Sequence, residues 1–179
     1  MKQNLEIEYK TLLSPTSYDT LLSAWDFSDG VKQLNVYLDT QSHDLYNLKM
    51  MCRLRLTDII EFTLKIPQED GVLEHELILD SFDITENSAI TTLMSEFGVN
   101  VEDLIEVARS TTLRKTYDDA FGTWCLDYTE FDHGEDYEIE YELFSYHPDA
   151  FEHYVNKLNE LGIEYKKSRP KYIRARFPE

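Results

Sequence analysis

Cysteine is scarce: Cys52 and Cys125 are the only two in 179 residues. Two thiols without a CxxC spacing exclude a disulfide framework and a thiolate zinc site. They point to buried free thiols in a reducing compartment. Long apolar runs are also missing. No stretch approaches the ~20 apolar residues of a membrane-spanning helix, and the N-terminal MKQNLEIEYK has no apolar signal core. Cations are in short supply, with 17 Lys and Arg against 35 Asp and Glu and a formal net charge of −18. A field of that sign repels phosphodiester backbones and anionic lipid. It excludes a surface that docks nucleic acid or membrane. No repeat or low-complexity linker divides the chain. The expectation is one cytoplasmic domain over 1–179, for which 42% hydrophobic and 13% aromatic content is ample.

What the sequence has in abundance is period-two alternation, the mark of strands with two unlike faces. Residues 4–13 set Leu5, Ile7 and Tyr9 against Glu6, Glu8 and Lys10. Residues 51–57 set Cys52, Leu54 and Leu56 against Arg53 and Arg55, and 60–66 set Phe62, Leu64 and Ile66 against Glu61, Thr63 and Lys65. Pro67 is expected to end that strand, with a hairpin turn over 68–71. Further strands are expected at 33–40, 72–79, 110–118, 123–130, 136–144 and 170–177. Helices are expected at 15–26, with Ser14 as N-cap and Pro15 in the first position, at 83–97, and at 148–161; a short one is placed at 101–106.

The polar faces of these strands are sorted by sign. The middle strands carry Arg53, Arg55, Lys65 and Arg114, whereas 136–144 carries Asp136, Glu138, Glu140 and Glu142 in alternation. For any one strand, a solvated outward face is the simpler reading. Taken together, the faces suit the opposite arrangement, with charge turned into a small barrel and apolar faces covered by helices. Such a lumen needs counter-ions: a divalent metal for the carboxylates and a polyanion for the Arg/Lys wall. A metal–polyphosphate complex supplies both, since guanidinium forks and ammonium groups bind phosphate oxygens.

The order of these elements resembles the CYTH superfamily, the triphosphate tunnel metalloenzymes. Glu6-Ile7-Glu8-Tyr9-Lys10 resembles the ExExK signature, Tyr37-Leu38-Asp39-Thr40 the YxDT segment, Arg53-Leu54-Arg55 the RxR strand and Thr63-Leu64-Lys65 the TxK strand. Glu74 and Glu76, Arg114 with Tyr117, Asp127, the Glu138–Glu140 pair and the segment 168–174 follow in the expected order. The resemblance implies an α+β fold: a closed antiparallel β-barrel, or tunnel, of about eight strands with helices packed outside. It also implies that Glu6, Glu8, Glu138 and Glu140 hold Mg²⁺ or Mn²⁺. Lys10, Arg53, Arg55, Lys65, Arg114 and Lys171 would hold the phosphate chain, with Lys65 also stabilising the transferring group. Glu138, Glu140 and Asp127 stand as alternatives for the base.

The implied activity is divalent-metal-dependent hydrolysis of a small triphosphate, inorganic or organic. Adenylyl cyclisation of ATP and non-catalytic binding of polyphosphate or nucleotide are the alternatives. The five histidines show no ligand spacing and are expected at surface or packing positions. Trp25 and Trp124 are expected in the core, Asp39 in a turn, and the run 130–136 in a solvated loop.

Overall fold

The computed structural model describes residues 1–179. Its strands are β1 (Lys2–Glu6), β2 (Glu8–Leu13), β3 (Val31–Asp39), β4 (Met51–Leu56), β5 (Ile60–Gln68), β6 (Gly71–Leu79), β7 (Ile105–Asp118), β8 (Gly122–Phe131) and β9 (Gly134–Leu143). Its helices are α1 (Pro15–Ala24), α2 (Asp44–Asn47), α3 (Ser88–Ser95), α4 (Ala150–Asn159) and α5 (Lys171–Arg176), with a 3₁₀ turn at Val101–Asp103. The sheet has nine strands, not about eight, in the order β1-β6-β5-β4-β3-β7-β8-β9-β2. The extra strand arises at the start of the chain. The single strand expected over 4–13 divides at Ile7, because β1 lies beside β6 whereas β2 lies beside β9. The Ile7 carbonyl still accepts from Leu143 N at 2.9 Å. No helix is long and apolar enough to cross a membrane.

By its contacts the chain forms two compact units. The first comprises Met1–Leu5, Leu34–Ser110 and Tyr172–Glu179; the second comprises Glu6–Gln33 and Thr111–Lys171. In the first, Val36, Leu38, Leu54, Phe62 and Leu64 of the strands bury against Leu45 of α2 and Ile90, Leu93 and Met94 of α3. In the second, Trp124, Leu126, Ile139 and Tyr141 bury against Tyr18 and Leu21 of α1 and Tyr154 and Leu158 of α4. Trp124 is fully buried, stacked 4.1 Å from the Tyr141 ring and 5.4 Å from Tyr154. The strands that line these cores therefore give their apolar side to helices and their charged side to the opposite face. Both cysteines are free and buried.

Local chemistry accounts for most helix limits. Ser14 caps α1 by accepting from Ser17 N at 3.1 Å. The helix expected from 83 starts only at Ser88. The Asp83 carboxylate accepts from Thr85 N at 3.0 Å and Thr85 Oγ1 at 2.7 Å, a local turn that competes with helix, and Asn87 takes over as cap. The short helix placed at 101–106 is the 3₁₀ turn, and β7 begins earlier than expected. Pro67 does not end β5: it lies within the strand opposite Val72, and the hairpin turns over Glu69 and Asp70. The run 130–136 is a β8–β9 hairpin rather than a loop, with Phe131 paired to Gly134.

The largest correction is at the C-terminus, where the strand expected over 170–177 is helix α5. Pro170 precedes its first residue, a position that suits a residue lacking a donor. Tyr172 and Arg176, four residues apart, meet on one side of it and bond to each other. Arg176 Nη1 donates to Asp39 at 2.6 Å. Asp39 is fully buried and also accepts from Thr40 N at 2.8 Å, Leu45 N at 2.9 Å and Tyr46 N at 3.1 Å. It therefore organises the β3–α2 turn, as expected. Burial alone would raise its pKa, but Arg176 and the three amides hold it below the usual carboxylate range.

Asp39→Ala orphans these donors and is expected to cost about 1–3 kcal/mol at neutral pH. Urea unfolding would measure it. A depressed carboxylate stabilises above its unfolded pKa near 4 and loses that contribution as pH falls through its folded value. The gap between wild type and variant should accordingly narrow in acid.

Candidate functional site

The charged face of the second unit is built around β9. Period-two geometry puts Glu138, Glu140 and Glu142 on one side, and neighbouring strands set their partners. Glu142 stands directly opposite Glu8 of β2, and Glu140 opposite Lys10. On the other flank, Asp127 of β8 stands opposite Glu138. Gly122 permits this approach, since a Cβ there would lie 2.3 Å from the Glu142 carbonyl oxygen. Asp127 and Glu138 are fully buried and Glu140 nearly so. These charges do not face water, which removes the solvated-face reading for them.

Three cations thread the carboxylates. Arg114 of β7 grips Asp127 with both fork atoms, Nε to Oδ1 at 2.8 Å and Nη2 to Oδ2 at 2.7 Å. Its Nη1 reaches Glu142 Oε1 at 2.8 Å, and Nη2 also bonds Glu140. Lys171 Nζ lies 2.5 Å from Asp127, 3.8 Å from Glu140 and 3.9 Å from Glu138. Lys10 Nζ lies 2.5 Å from Glu8 and 3.6 Å from Glu140. Ser168 Oγ donates to Glu138 Oε2 at 3.2 Å.

Burial alone would push Asp127 and Glu140 toward protonation. Arg114 and the lysines overcome it and hold both below the ordinary carboxylate range. Burial alone would lower Lys10 and Lys171, and the surrounding carboxylates raise both instead. Cys125 shares this face, and burial pushes its thiol pKa up, so it is inert rather than nucleophilic.

Six carboxylates of this unit fall into two groups. Glu6, Glu8 and Glu142 each present an oxygen within 4.8 Å of the others, and so do Asp127, Glu138 and Glu140. Hard oxygen donors of this kind suit Mg²⁺ or Mn²⁺. The first group is the better fit. Glu8 directly opposite Glu142 is a like-charged cross-strand pair flanked by Lys10 and Arg114, which a further cation would relieve, whereas Asp127 has both of its oxygens taken by Arg114. The four residues expected to form one metal set thus divide between two groups. Glu142, not among the expected metal residues, joins the first group. Its signal was present in the alternating run after Glu138, but its partner Glu8 is remote in sequence.

The first unit carries the other sequence-expected cations. Arg53 and Arg55 of β4 lie opposite Tyr37 and Asn35 of β3. Arg53 is only 8% exposed; its Nη2 donates to Thr63 Oγ1 at 3.2 Å, and its Nε meets no acceptor. Arg55 Nε donates to Asn35 Oδ1 at 2.9 Å. Lys65 of β5 lies opposite Glu74 of β6 and pairs with it at 3.0 Å. Glu76 has its pKa raised by burial and then by Glu74 and Glu61. Tyr37 is buried, its hydroxyl 3.5 Å from Ser110 Oγ.

Among the histidines, His75 is buried beside Gln3, and His153 bonds Asp119 at 2.7 Å. Both are packing roles.

Residues 4–173 match the CYTH domain, and the chain belongs to that family. It is 27% identical over 184 residues to YjbK of Bacillus subtilis strain 168, a triphosphatase candidate, over 97% of this chain and 95% of that protein. The crystal structure of an adenylate cyclase candidate from Bacillus halodurans superposes with a TM-score of 0.87 at 27% identity, covering both chains in full. HpAC1 from Hippeastrum, a candidate adenylyl cyclase with a dominant triphosphatase activity, superposes with a TM-score of 0.78 at 26% identity over 95% of this chain and 94% of that one.

Proposed function

We propose that this CYTH-domain protein is a cytoplasmic, divalent-metal-dependent hydrolase of a triphosphate, working on the charged face of its sheet. The observation that carries the reading is the pairing of gathered carboxylates with a buried cation whose donor is unsatisfied. In one unit two groups of three carboxylates lie close enough to share a metal ion, and in the other the buried Arg53 has a donor without an acceptor. The first calls for a metal cation and the second for an anion with acceptor oxygens.

Glu6, Glu8 and Glu142 would hold the metal, with Glu138 and Glu140 as the inner pair. When bound, the metal supplies Lewis-acid polarisation of a phosphoryl oxygen. Arg53, Arg55 and Lys65 of the first unit, and Lys10, Arg114 and Lys171 of the second, are the candidates to hold phosphate oxygens and stabilise charge on a transferring group. Glu138, Glu140 and Asp127 are the three candidate bases. Arg114 grips Asp127 and Glu140 directly, and Glu138 accepts from the Ser168 hydroxyl with Lys171 Nζ 3.9 Å away. A carboxylate bound to guanidinium is a poorer proton acceptor.

The deciding experiment incubates purified protein with Mg²⁺ or Mn²⁺ and a panel of triphosphates, following orthophosphate. Metal-dependent release from at least one member is expected. Release from none, by folded protein, would sink the reading. Cyclic AMP and pyrophosphate from ATP would identify a cyclase, and metal-dependent binding without turnover a binding module. The dominant triphosphatase activity of HpAC1 favours hydrolysis.

Glu8→Gln should raise the metal concentration for half-maximal activity by roughly 10–100-fold. Glu160→Gln is the control. Glu160 is exposed at the C-terminal cap of α4, with Lys157 3.8 Å away, and its loss should not move the metal titration.

A further inference from the structure

Strand β3 alternates strictly. Leu34, Val36 and Leu38 pack into the apolar cluster, so Gln33, Asn35, Tyr37 and Asp39 turn to the opposite, charged face. Three of these four polar groups have internal neighbours: Asn35 holds Arg55, the Tyr37 hydroxyl faces Ser110, and Asp39 holds Arg176. Gln33 differs. It is 9% exposed, and its Oε1 meets no donor. A buried acceptor left in this state is rare in a folded protein and marks a place where a partner is missing.

A phosphate chain cannot supply that partner, because ionised phosphate oxygens only accept. The donor that suits it is an N–H or O–H group, from an ordered water or from the organic part of a ligand. We infer that Gln33 is a specificity-determining residue that accepts a hydrogen bond from the organic part of the substrate. The preferred substrate is then a small organic triphosphate bearing N–H or O–H donors, rather than inorganic tripolyphosphate. This inference rests on the triphosphatase reading. Its placement fits: Gln33 lies two residues along β3 from Asn35, the residue that holds Arg55, and residues so spaced share a face roughly 7 Å apart. That span suits the step from a bound phosphate to the group esterified to it.

The test compares nucleoside triphosphates, methyl triphosphate and tripolyphosphate by kcat/KM in Mg²⁺ or Mn²⁺, with calorimetric Kd in parallel. Methyl triphosphate is the organic ester without a donor. Wild-type protein should prefer at least one donor-bearing triphosphate over methyl triphosphate by roughly 10–100-fold. Gln33→Met, similar in volume but without the amide, should bring that ratio close to one. Gln33→Glu keeps an acceptor and should retain the ratio while weakening every polyanion.

No preference in the wild type, or an equal loss for both esters in Gln33→Met, would overturn the inference. A Gln33-dependent preference for tripolyphosphate would also overturn it, showing the amide turned to offer its donor. Turnover without the expected ratio defeats this inference alone. Absence of both binding and turnover for every triphosphate defeats the triphosphatase reading and this inference with it.

Discussion

Replacing Arg114 by methionine is expected to destabilise the fold by about 3–5 kcal/mol at neutral pH, the cost of stranding buried charge. Arg114 is the cation common to Asp127, Glu140 and Glu142. Asp127 is wholly buried and loses both of its fork contacts, leaving Lys171 alone beside it. The pH dependence separates this cause from loss of packing. In the wild type, Asp127 and Glu140 are held below their ordinary pKa by Arg114, despite burial that acts the other way. Their favourable contribution is therefore complete above the unfolded pKa near 4, and is lost as pH falls through the folded values. Without Arg114, burial dominates and the carboxylates protonate more readily. The stability difference between the two proteins should thus be greatest near neutrality and shrink in acid. Urea unfolding across pH, with chelator present so that no metal stabilises either protein, would measure it. A difference that stays constant from pH 7 to pH 3 would assign the loss to packing instead.

How far this arrangement could be read in advance depends on whether its cause is local. The strands at 51–56, 60–68, 71–79, 122–131 and 134–143 were legible because one face enters a core and the other does not, which period-two alternation records directly. The same rule failed at 170–177. Tyr172, Arg174 and Arg176 alternate as a strand would, but the i,i+4 pair Tyr172 and Arg176 answers Asp39, which lies far away in sequence. A six-residue stretch is too short for periodicity to separate the two geometries. The site behaved similarly. Glu6, Glu8, Glu138, Glu140, Lys10 and Arg53 were singled out by alternation and by the family resemblance. Their division into groups was not, because it depends on the β2–β9 register that sets Glu8 against Glu142. Gln33 gave no signal at all. An orphaned amide exists only once neighbouring strands have closed over it without offering a donor.

Arg53→Met is expected to lower kcat/KM for the best triphosphate by roughly 10²–10³-fold, the usual loss when one positioned donor to developing charge is removed. Its effect on stability should be of a different order. The buried guanidinium makes one hydrogen bond, to Thr63, and leaves Nε unsatisfied, so the folded protein already bears the cost of desolvating it. Exchanging it for an apolar side chain of similar length removes that cost, and buried charges so replaced are often neutral or gain stability. Arg53 also draws down the pKa of Glu76, which burial, Glu74 and Glu61 raise, so Glu76 should become still harder to ionise in the variant. Arg53→Lys restores charge but not the planar fork, and should recover only part of the activity. The pairing of a large kinetic loss with little or no loss in Tm is the signature of a residue kept for ligand rather than for fold. Kinetics and thermal unfolding on the same preparations would show it. A variant that loses activity in proportion to its folded fraction would instead make Arg53 a structural residue, and would remove the anion-binding half of the proposed function.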